Sequence, residues 1–536
     1  MTPEVAVELA IDNVILEGLD DVFDRPPELE FLSEPPFRQA VADIAKRALA
    51  PGGLDKSPFG PIQHTNVPKS GIYAFRRCAI VQPMDQIKYL ALALLVAESI
   101  EAERPPVADR RVFSYRLAPS KGRLFDPLYT FASFHECARK RAAESTVKVV
   151  VKCDIANFYD RLNLHRLEST LSALGAEHGA VSALNNLLLY WAKKDSYGLP
   201  VGSNASRILA EAALIETDRY LLSIGADFIR FVDDYQFFAP DMTKAQFWLY
   251  KTMDRLAQEG LGLNAYKTRV FESKIASYAR GTTEDVAKGI VKFKPIHPVQ
   301  IGPNGGDPDG RGFYIRIPRS FVLPDTGENT SPPRGATEIC SGLLAKTVVE
   351  LPEFRELTTS LLTFKQFQAL SLLPRILRKH PPYIEYAMGM LTHFKDVIPK
   401  SLRDQLSKEL GEFLGSPHVE MPEWHKIKIV SLLGALEYAN RDALLSLLRS
   451  MPRHGGASLG RAVLDALGNL AKRGDALEIK ELFERSDPAE RRAILRILNK
   501  VLPEEERRAW CRYAGQQCRD DPFAVHFVKP YKAKTS

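Results

Sequence analysis

Cysteine is sparse in this chain of 536 residues, and its six cysteines are scattered. They are Cys78, Cys137, Cys153, Cys340, Cys511 and Cys518. None of them forms a Cys-x-x-Cys pair, so the sequence disfavours both a structural zinc site and a disulfide framework. This use of cysteine is typical of a reducing compartment, and we expect a cytoplasmic location.

Long apolar runs are also missing, and so is the pattern of a secretion signal. No uncharged apolar stretch reaches the length that spans a bilayer. The first residues, "MTPEVAVELAIDNVILEGLDDVFD", are acidic and lack the basic start and apolar core of a signal peptide. We therefore expect a soluble protein without a membrane partner. Its formal net charge of +6 permits nucleic acid as a partner but does not require it.

Hydrophobic patterning divides the chain into four parts. Residues 1–146 mix loops with an apolar helical run, and residues 147–273 alternate strands with helices. Residues 274–335 form a turn-rich connector with β-like pieces such as "FYIRI" and "SFVL". Residues 336–536 read as helical. The predicted fold class is an α+β domain followed by an all-α domain.

The all-α part contains a weak internal repeat. The stretches Val430 to Met451 and Leu464 to Ser486 match at a spacing of roughly 33 to 34 residues, a period typical of paired amphipathic helices. Stacked helix pairs of this kind bury a shared core, and we predict a HEAT-like helical repeat domain. A plain helical bundle is the alternative.

Within residues 147–273, three stretches give clear predictions. "VKVVVKCDIANFYDRL" opens as a buried strand of β-branched residues. "SNASRILAEAALIETDRYLLSIG" is predicted to form one long helix after a start rich in capping residues. "DMTKAQFWLYKTMDRLAQEGLGLN" is a further helix, ended by glycine.

Two adjacent aspartates, Asp233 and Asp234, stand in the middle of the apolar stretch "FIRFVDDYQFFAP". We interpret the pair as a hairpin turn, although it lacks the glycine that such turns prefer. Carboxylates are costly to bury unpaired, so a positive partner is expected opposite them. Asp154, at the end of the predicted strand, would complete three carboxylates for hard divalent cations. Two Mg²⁺ ions about 3.5–4 Å apart in such a site activate a 3′-oxygen and stabilise a leaving pyrophosphate.

Four stretches in order resemble the palm motifs of reverse transcriptases: "DIANFYDRL", "GLPVGSNASRILAEAAL", "FVDDYQFF" and "LGLNAYKTRV". The resemblance covers residues 66–271 and implies the fingers and palm of a right-hand polymerase. The helical tail and "VFSYR" extend it to the bacterial defence-associated, abortive-infection reverse transcriptases, whose members carry a helical repeat domain in place of a thumb. The implied activity is Mg²⁺-dependent addition of deoxynucleotides to a 3′-hydroxyl, with or without an RNA template.

The resemblance also implies roles for single residues. Asp154 and Asp233 match the metal-binding aspartates, with Asp234 as a less direct ligand. Lys267 matches a lysine proposed to protonate the leaving pyrophosphate, although a solvated lysine is the alternative reading. Tyr159 matches the aromatic sugar gate that would clash with a ribose 2′-hydroxyl, which implies a preference for dNTPs.

Further residues match positions that contact the incoming dNTP. They are Lys69, Arg76, Arg77, Gly198, Pro200, Gly202 and Ser206. The glycines would let the backbone approach the nucleotide closely. Lys69 with Arg76, or with Arg77 after a one-residue shift, would hold the triphosphate, because guanidinium offers planar, bidentate donors to phosphate. Val201 stands where many templated reverse transcriptases have glutamine, which leaves templated copying open.

Two alternatives stay open on the sequence alone. A group II intron or retron-type reverse transcriptase would share the palm motifs, but the chain lacks a Cys/His endonuclease pattern. A noncatalytic scaffold with a decayed palm is a second alternative, although all three aspartates are present. The resemblance permits a noncoding RNA partner and a homo-oligomer. Self-priming members are thought to use a tyrosine near the N-terminus, whereas the first tyrosine here is Tyr73.

Overall fold

The computed structural model describes residues 1–20, 22–50, 52–53, 57–69, 74–193, 195–273, 334–415, 421–451 and 458–528. Within these ranges the chain divides into two units, one of residues 1–62 and 78–273 and one of residues 63–77 and 334–528. The connector predicted over 274–335, with its β-like pieces, lies outside the described residues except for its last two. The predicted four-part division stays a prediction.

The described strands are β1 (Gln63–Pro68), β2 (Phe75–Ile80), β3 (Leu117–Ser120), β4 (Arg123–Phe125), β5 (Val149–Asp154), β6 (Phe228–Phe231), β7 (Asp234–Ala239) and β8 (Arg269–Glu272). The α-helices of the first unit are Pro3–Glu17, Pro35–Leu49, Pro83–Glu103, Phe131–Ala142, Phe158–Arg161, Leu164–Ala173, His178–Ala192, Asn204–Ala212, Ile215–Ser223 and Met242–Gln258. Those of the second unit are Ala336–Ala345, Leu351–Phe364, Leu373–Lys379, Ile384–His393, Lys400–Leu414, Glu423–Gly434, Arg441–Ser450, Ser458–Leu467, Arg473–Glu481, Pro488–Val501, Glu504–Gln517 and Pro522–Val528.

An antiparallel sheet of four strands, in the order β6-β7-β5-β8, lies at the centre of the first unit. β5 occupies an inner position, as expected for "VVVKCD", because β-branched residues favour a buried strand. Helix Phe131–Ala142 covers the sheet face that carries Val150, Ile229 and Phe238. Within this sheet the last residue of β5 lies beside the first residue of β7.

The hairpin turn lies one residue earlier than predicted. Phe231 at the end of β6 pairs with Asp234 at the start of β7, so Val232 and Asp233 form the turn. The prediction that Asp233 and Asp234 form it is wrong, because Asp234 belongs to the ladder and pairs with both Phe231 and Asp154. Val232 takes the left-handed conformation with φ 55°, which β-branched residues rarely adopt.

The long helix predicted after "GLPVG" is two helices, Asn204–Ala212 and Ile215–Ser223. The Leu214 amide donates to the Glu211 carbonyl at 3.3 Å, and this tight turn interrupts the α-helical pattern. The first helix begins as the sequence predicts, since the Ser203 side chain accepts from the backbone amide of Ala205.

Helices of the second unit stack in alternation along the chain. Helix Glu423–Gly434 packs against both Ile384–His393 and Ser458–Leu467, and Pro488–Val501 packs against both Ser458–Leu467 and Pro522–Val528. Each of these helices therefore packs on a helix two positions away along the chain.

Polar contacts in this unit recur near the predicted period. Arg441 donates two hydrogen bonds of 2.6 Å to Asp475, which is 34 residues away. The Asn440 side-chain amide donates to the Ser407 carbonyl at 3.0 Å across 33 residues. Close helix packing accompanies these contacts, since a Cβ on Gly434 would lie 2.6 Å from the Ala466 Cβ. The classification as HEAT-like stays a prediction.

The hairpin of β1 and β2 contacts the helices of the second unit. The Gln63 side chain donates to Asp487 at 3.2 Å, and the Thr65 hydroxyl donates to Glu423 at 3.4 Å. Residues 63–77, which the sequence placed with the fingers, therefore group with the helical unit. Among the described residues, no helix combines the length and the apolar character needed to cross a bilayer.

Candidate active site at the end of the central strands

Three carboxylates meet where β5 ends and β7 begins. The antiparallel register pairs Asp154 directly with Asp234, and the turn places Asp233 next to them. Ligand oxygens of all three lie within 4.8 Å of one another. Asp154 is 6% exposed, whereas Asp233 and Asp234 are half-buried. The residues that the sequence predicted as a carboxylate cluster are thus brought together.

The loop before β8 closes around this cluster. The Asn264 amide donates to the Asp154 carbonyl at 2.7 Å, and the Ala156 amide donates to the Gly262 carbonyl at 2.8 Å. These bonds bring the Lys267 ammonium within 2.7 Å of the Asp154 carboxylate. Lys267 is thus a positive partner of Asp154, and its side chain remains 62% exposed.

Electrostatics at the cluster favour a bound cation. Burial, and then the charges of Asp233 and Asp154, raise the pKa of Asp234 to about 7. Burial opposes protonation of Lys267, but its hydrogen bond to Asp154 and the charges of the carboxylates outweigh burial and raise the pKa of the ammonium. The charges of Lys267 and Lys152 only partly offset the repulsion among the carboxylates, and a set of oxygen ligands suits Mg²⁺. The donor set therefore fits a divalent metal.

Tyr159, the predicted sugar gate, lies in the helix that follows β5. Tyr159 is half-buried at the start of helix Phe158–Arg161, and its carbonyl accepts from the Leu199 amide at 2.9 Å. Burial, followed by the neighbouring Tyr115, raises the pKa of the Tyr159 phenol well above its usual value. The charge of Asp233 also contributes to raising the pKa of this phenol.

The loop that carries Gly198, Pro200 and Gly202 is hydrogen-bonded through its backbone to the segment that contains Tyr159. Gly198 has φ +98°, and its amide donates to the Leu162 carbonyl at 2.9 Å. Gly202 also has a positive φ, of 110°. Both positions need glycine because other residues rarely take this conformation. Pro200, between them, is buried.

Ser206 has a different environment from the one its motif position suggests. Its side chain is fully buried, and its hydroxyl shares a hydrogen bond of 3.0 Å with the Tyr89 hydroxyl. This contact joins helix Asn204–Ala212 to helix Pro83–Glu103. The structure therefore places the Ser206 hydroxyl in helix packing rather than on an open surface.

The basic residues predicted to hold the triphosphate are all exposed. Lys69, Arg76 and Arg77 lie in the β1–β2 hairpin, within the second unit. The Arg77 guanidinium contacts His64 Nδ1 at 3.3 Å. Their role at a triphosphate stays a prediction.

A buried ion network behind the hairpin is absent from the sequence prediction. Arg230 is fully buried, with its guanidinium 2.6 Å from Asp218 and 2.9 Å from Glu211. Arg104 also lies 2.9 Å from Glu211. The signal in the sequence is an arginine inside the apolar strand "FIRF", since a buried charge of this kind requires partners.

Comparison with known proteins gives one family and several distant structures. Residues 109–285 match the family described as "Reverse transcriptase (RNA-dependent DNA polymerase)". The apo telomerase of Candida tropicalis is similar at 13% identity, with a TM-score of 0.32, over 74% of this chain and 70% of that chain. A telomerase of Candida albicans, in complex with a fragment of telomeric RNA, is similar at 12% identity, with a TM-score of 0.29, over 91% and 75% of the two chains. No curated protein matches the sequence.

Proposed function

Since the chain carries a reverse-transcriptase domain, an RNA-directed DNA polymerase, we propose that Asp154, Asp233 and Asp234 form its catalytic metal site. The site transfers dNMP units from dNTPs to a 3′-hydroxyl and releases pyrophosphate. The observation that supports this proposal is the convergence of the three carboxylates within 4.8 Å. Two Mg²⁺ ions, when bound, would polarise the attacking hydroxyl and neutralise charge on the phosphates.

Side chains of the protein bind the cations and donate the proton. Asp154 and Asp233 hold the cations, and Asp234 assists as a less direct ligand. The exposed ammonium of Lys267, already 2.7 Å from Asp154, donates a proton to the leaving pyrophosphate. Its exposure and position suit a group that acts on a departing anion.

Nucleotide selection is assigned to residues around Tyr159. The Tyr159 ring excludes a ribose 2′-hydroxyl and so favours dNTPs. The loop that contains Gly198, Pro200 and Gly202 brings its backbone against the incoming nucleotide, as its left-handed glycines support. Ser206 supports this loop through its contact with Tyr89.

The triphosphate would be held by Lys69 with Arg76 or Arg77. Exposed guanidinium and ammonium groups suit this role, because phosphate oxygens accept several charge-assisted hydrogen bonds. All three side chains are exposed on one hairpin.

We further propose a setting in antiphage defence. The likeness of the motifs to abortive-infection reverse transcriptases and the stack of helices after residue 334 support it. In this setting the second unit is a HEAT-like repeat domain in place of a thumb. The enzyme acts in the cytoplasm on nucleic acid, either by copying a noncoding RNA or by adding nucleotides without a template, and a homo-oligomer is compatible with this setting.

The decisive experiment measures incorporation of each labelled dNTP by purified protein with Mg²⁺, before and after nuclease treatment. Asp233→Ala/Asp234→Ala serves as the inactive control. We expect label to accumulate with wild type only. Loss after ribonuclease treatment would identify a copied RNA, whereas label that stays on the denatured protein would identify synthesis from a protein hydroxyl.

Incorporation that is equal in wild type and control would contradict the metal-site assignment. Incorporation in neither, together with unchanged binding of Mn²⁺ by the control, would favour a noncatalytic scaffold. Dependence on an intron-like or retron-like RNA would instead favour that type of reverse transcriptase.

A further inference from the structure

The turn that carries Asp233 has an unfavourable backbone. Val232 takes φ 55° at the first turn position, where hairpins of this kind normally have glycine. A β-branched side chain makes this conformation harder still. Such strain persists only where surrounding groups fix it.

The Arg230 side chain contacts this turn from the other face of the sheet. Its guanidinium Nη1 donates to the Val232 carbonyl at 3.1 Å. The register pairs Arg230 with Tyr235 and Phe231 with Asp234. Because side chains alternate along a strand, Arg230 lies on the face opposite to Asp234. It therefore does not reach the face of the sheet on which the carboxylates meet.

The guanidinium is itself fixed by two buried carboxylates. Arg230 Nη2 lies 2.6 Å from Asp218, and Nη1 lies 2.9 Å from Glu211. Asp218 also accepts a hydrogen bond of 3.1 Å from the Tyr235 hydroxyl, and Glu211 is paired with Arg104. Arg230 cannot leave the Val232 carbonyl without disturbing these ion pairs.

We infer that Arg230 is a positioning residue for Asp233: it fixes the Val232 carbonyl and thereby holds the strained turn that directs Asp233 into the metal site. This inference rests on the proposed function of the three aspartates. Tyr235 belongs to the same network, but its hydroxyl donates to Asp218 and not to the turn. Its replacement therefore tests support of the network separately from support of the turn.

The structure offers a readout that needs no metal. The Ile155 amide donates to the Asp233 carbonyl at 3.0 Å. This amide is protected from hydrogen exchange only while the turn stays in place. Its exchange therefore reports the position of Asp233 independently of catalysis.

The test compares Arg230→Lys with the control Tyr235→Phe, and then adds Val232→Gly to Arg230→Lys. A lysine keeps the charge but cannot hold Asp218, Glu211 and the Val232 carbonyl together. Glycine removes the steric cost of the left-handed turn, so it lessens the need for Arg230. Hydrogen exchange of the Ile155 amide and binding of Mn²⁺, followed by the EPR signal of free Mn²⁺, are measured for each protein, with thermal unfolding as the stability control.

We expect Arg230→Lys to speed exchange at Ile155 and to weaken Mn²⁺ binding about tenfold, as supporting residues of metal sites do. Tyr235→Phe should lower the melting temperature but leave both readouts within about twofold of wild type. Val232→Gly should restore both readouts in the Arg230→Lys background. If Arg230→Lys does not fold, Glu211→Gln takes its place. It should change Ile155 exchange and Mn²⁺ binding in the same direction but by less.

Equal changes in Arg230→Lys and Tyr235→Phe, or no rescue by Val232→Gly, would overturn the inference. Failure of the proposed function would give a different set of results from failure of this inference. In that case wild type binds no Mn²⁺ and incorporates no dNTP, while exchange at Ile155 still decides whether Arg230 holds the turn.

Discussion

The Lys267 ammonium lies 2.7 Å from the Asp154 carboxylate and joins the loop before β8 to the end of β5. A positive charge is thus held beside three carboxylates whose ligand oxygens lie within 4.8 Å. The backbone bond from the Asn264 amide to the Asp154 carbonyl fixes the loop that carries Lys267.

Lys267→Met should lower the rate of dNMP incorporation by about 10²-fold, because the leaving pyrophosphate loses its proton donor. Half-saturating Mg²⁺ should not rise, since no ammonium then competes for Asp154. Lys267→Arg is the matched variant. It keeps a charge near Asp154 but is a poor acid, so single-turnover rates should stay low. Full activity of Lys267→Met would remove Lys267 from the proposed chemistry.

Tyr159→Ala should relax the choice of sugar. The ring is proposed to clash with a ribose 2′-hydroxyl, so its removal should lower the ratio of kcat/KM for dNTPs over NTPs by about tenfold or more. Steady-state incorporation of each dNTP and its matching NTP measures this ratio. Tyr197→Ala is a suitable control, because Tyr197 is 49% exposed and has no proposed role. An unchanged ratio in Tyr159→Ala would argue against a sugar gate.

Without metal, the stability of the first unit should fall as the pH rises. The pKa of Asp234 in the folded protein is about 7, whereas an unfolded aspartate titrates near pH ~4. Between these values the folded state binds more protons, so the free energy of unfolding decreases as the pH increases through this window. Chemical unfolding in EDTA at several pH values should show this slope in wild type and a smaller one in Asp234→Asn. Addition of Mg²⁺ should stabilise wild type more at pH 8 than at pH 5, and equal slopes in the two proteins would contradict the prediction.

Gly198→Ala should reduce both stability and incorporation. Its φ of +98° makes any side chain strained, at a cost of about 1–2 kcal/mol. Gly175→Ala is the matched control, because Gly175 has φ +70°, no atom within 4 Å of an added Cβ and no role in the site. Both variants should lose similar stability in chemical unfolding, but only Gly198→Ala should raise the KM for dNTPs. A normal KM in Gly198→Ala would separate this loop from nucleotide binding.

The sequence predicted the carboxylate cluster well, for a simple reason. Asp154 ends a run of β-branched residues, and Asp233 and Asp234 interrupt an apolar hairpin, so each acidic residue is anomalous in its own local pattern. The turn was harder to predict. No local pattern shows that Val232 accepts a left-handed backbone, because the contact that supports it comes from Arg230 and its partners.

Other differences have the same origin. The break between helices Asn204–Ala212 and Ile215–Ser223 follows a stretch of good helix formers, so local helix propensity did not indicate it. The grouping of residues 63–77 with the helical unit depends on contacts such as that of Thr65 with Glu423, which is 358 residues away. Ser206 likewise meets Tyr89 across 117 residues.

The sequence by itself determined which acidic residues stand in otherwise apolar stretches. It thereby identified the three carboxylates and the metal chemistry that they suit. Alternation and spacing are local properties, readable from one strand or helix at a time. Only the tertiary structure decided the register that sets Asp154 opposite Asp234, the approach of Lys267, and the buried ion pairs of Arg230. These depend on chain segments that are distant in sequence, where burial makes each unpaired charge costly and so selects one arrangement of partners.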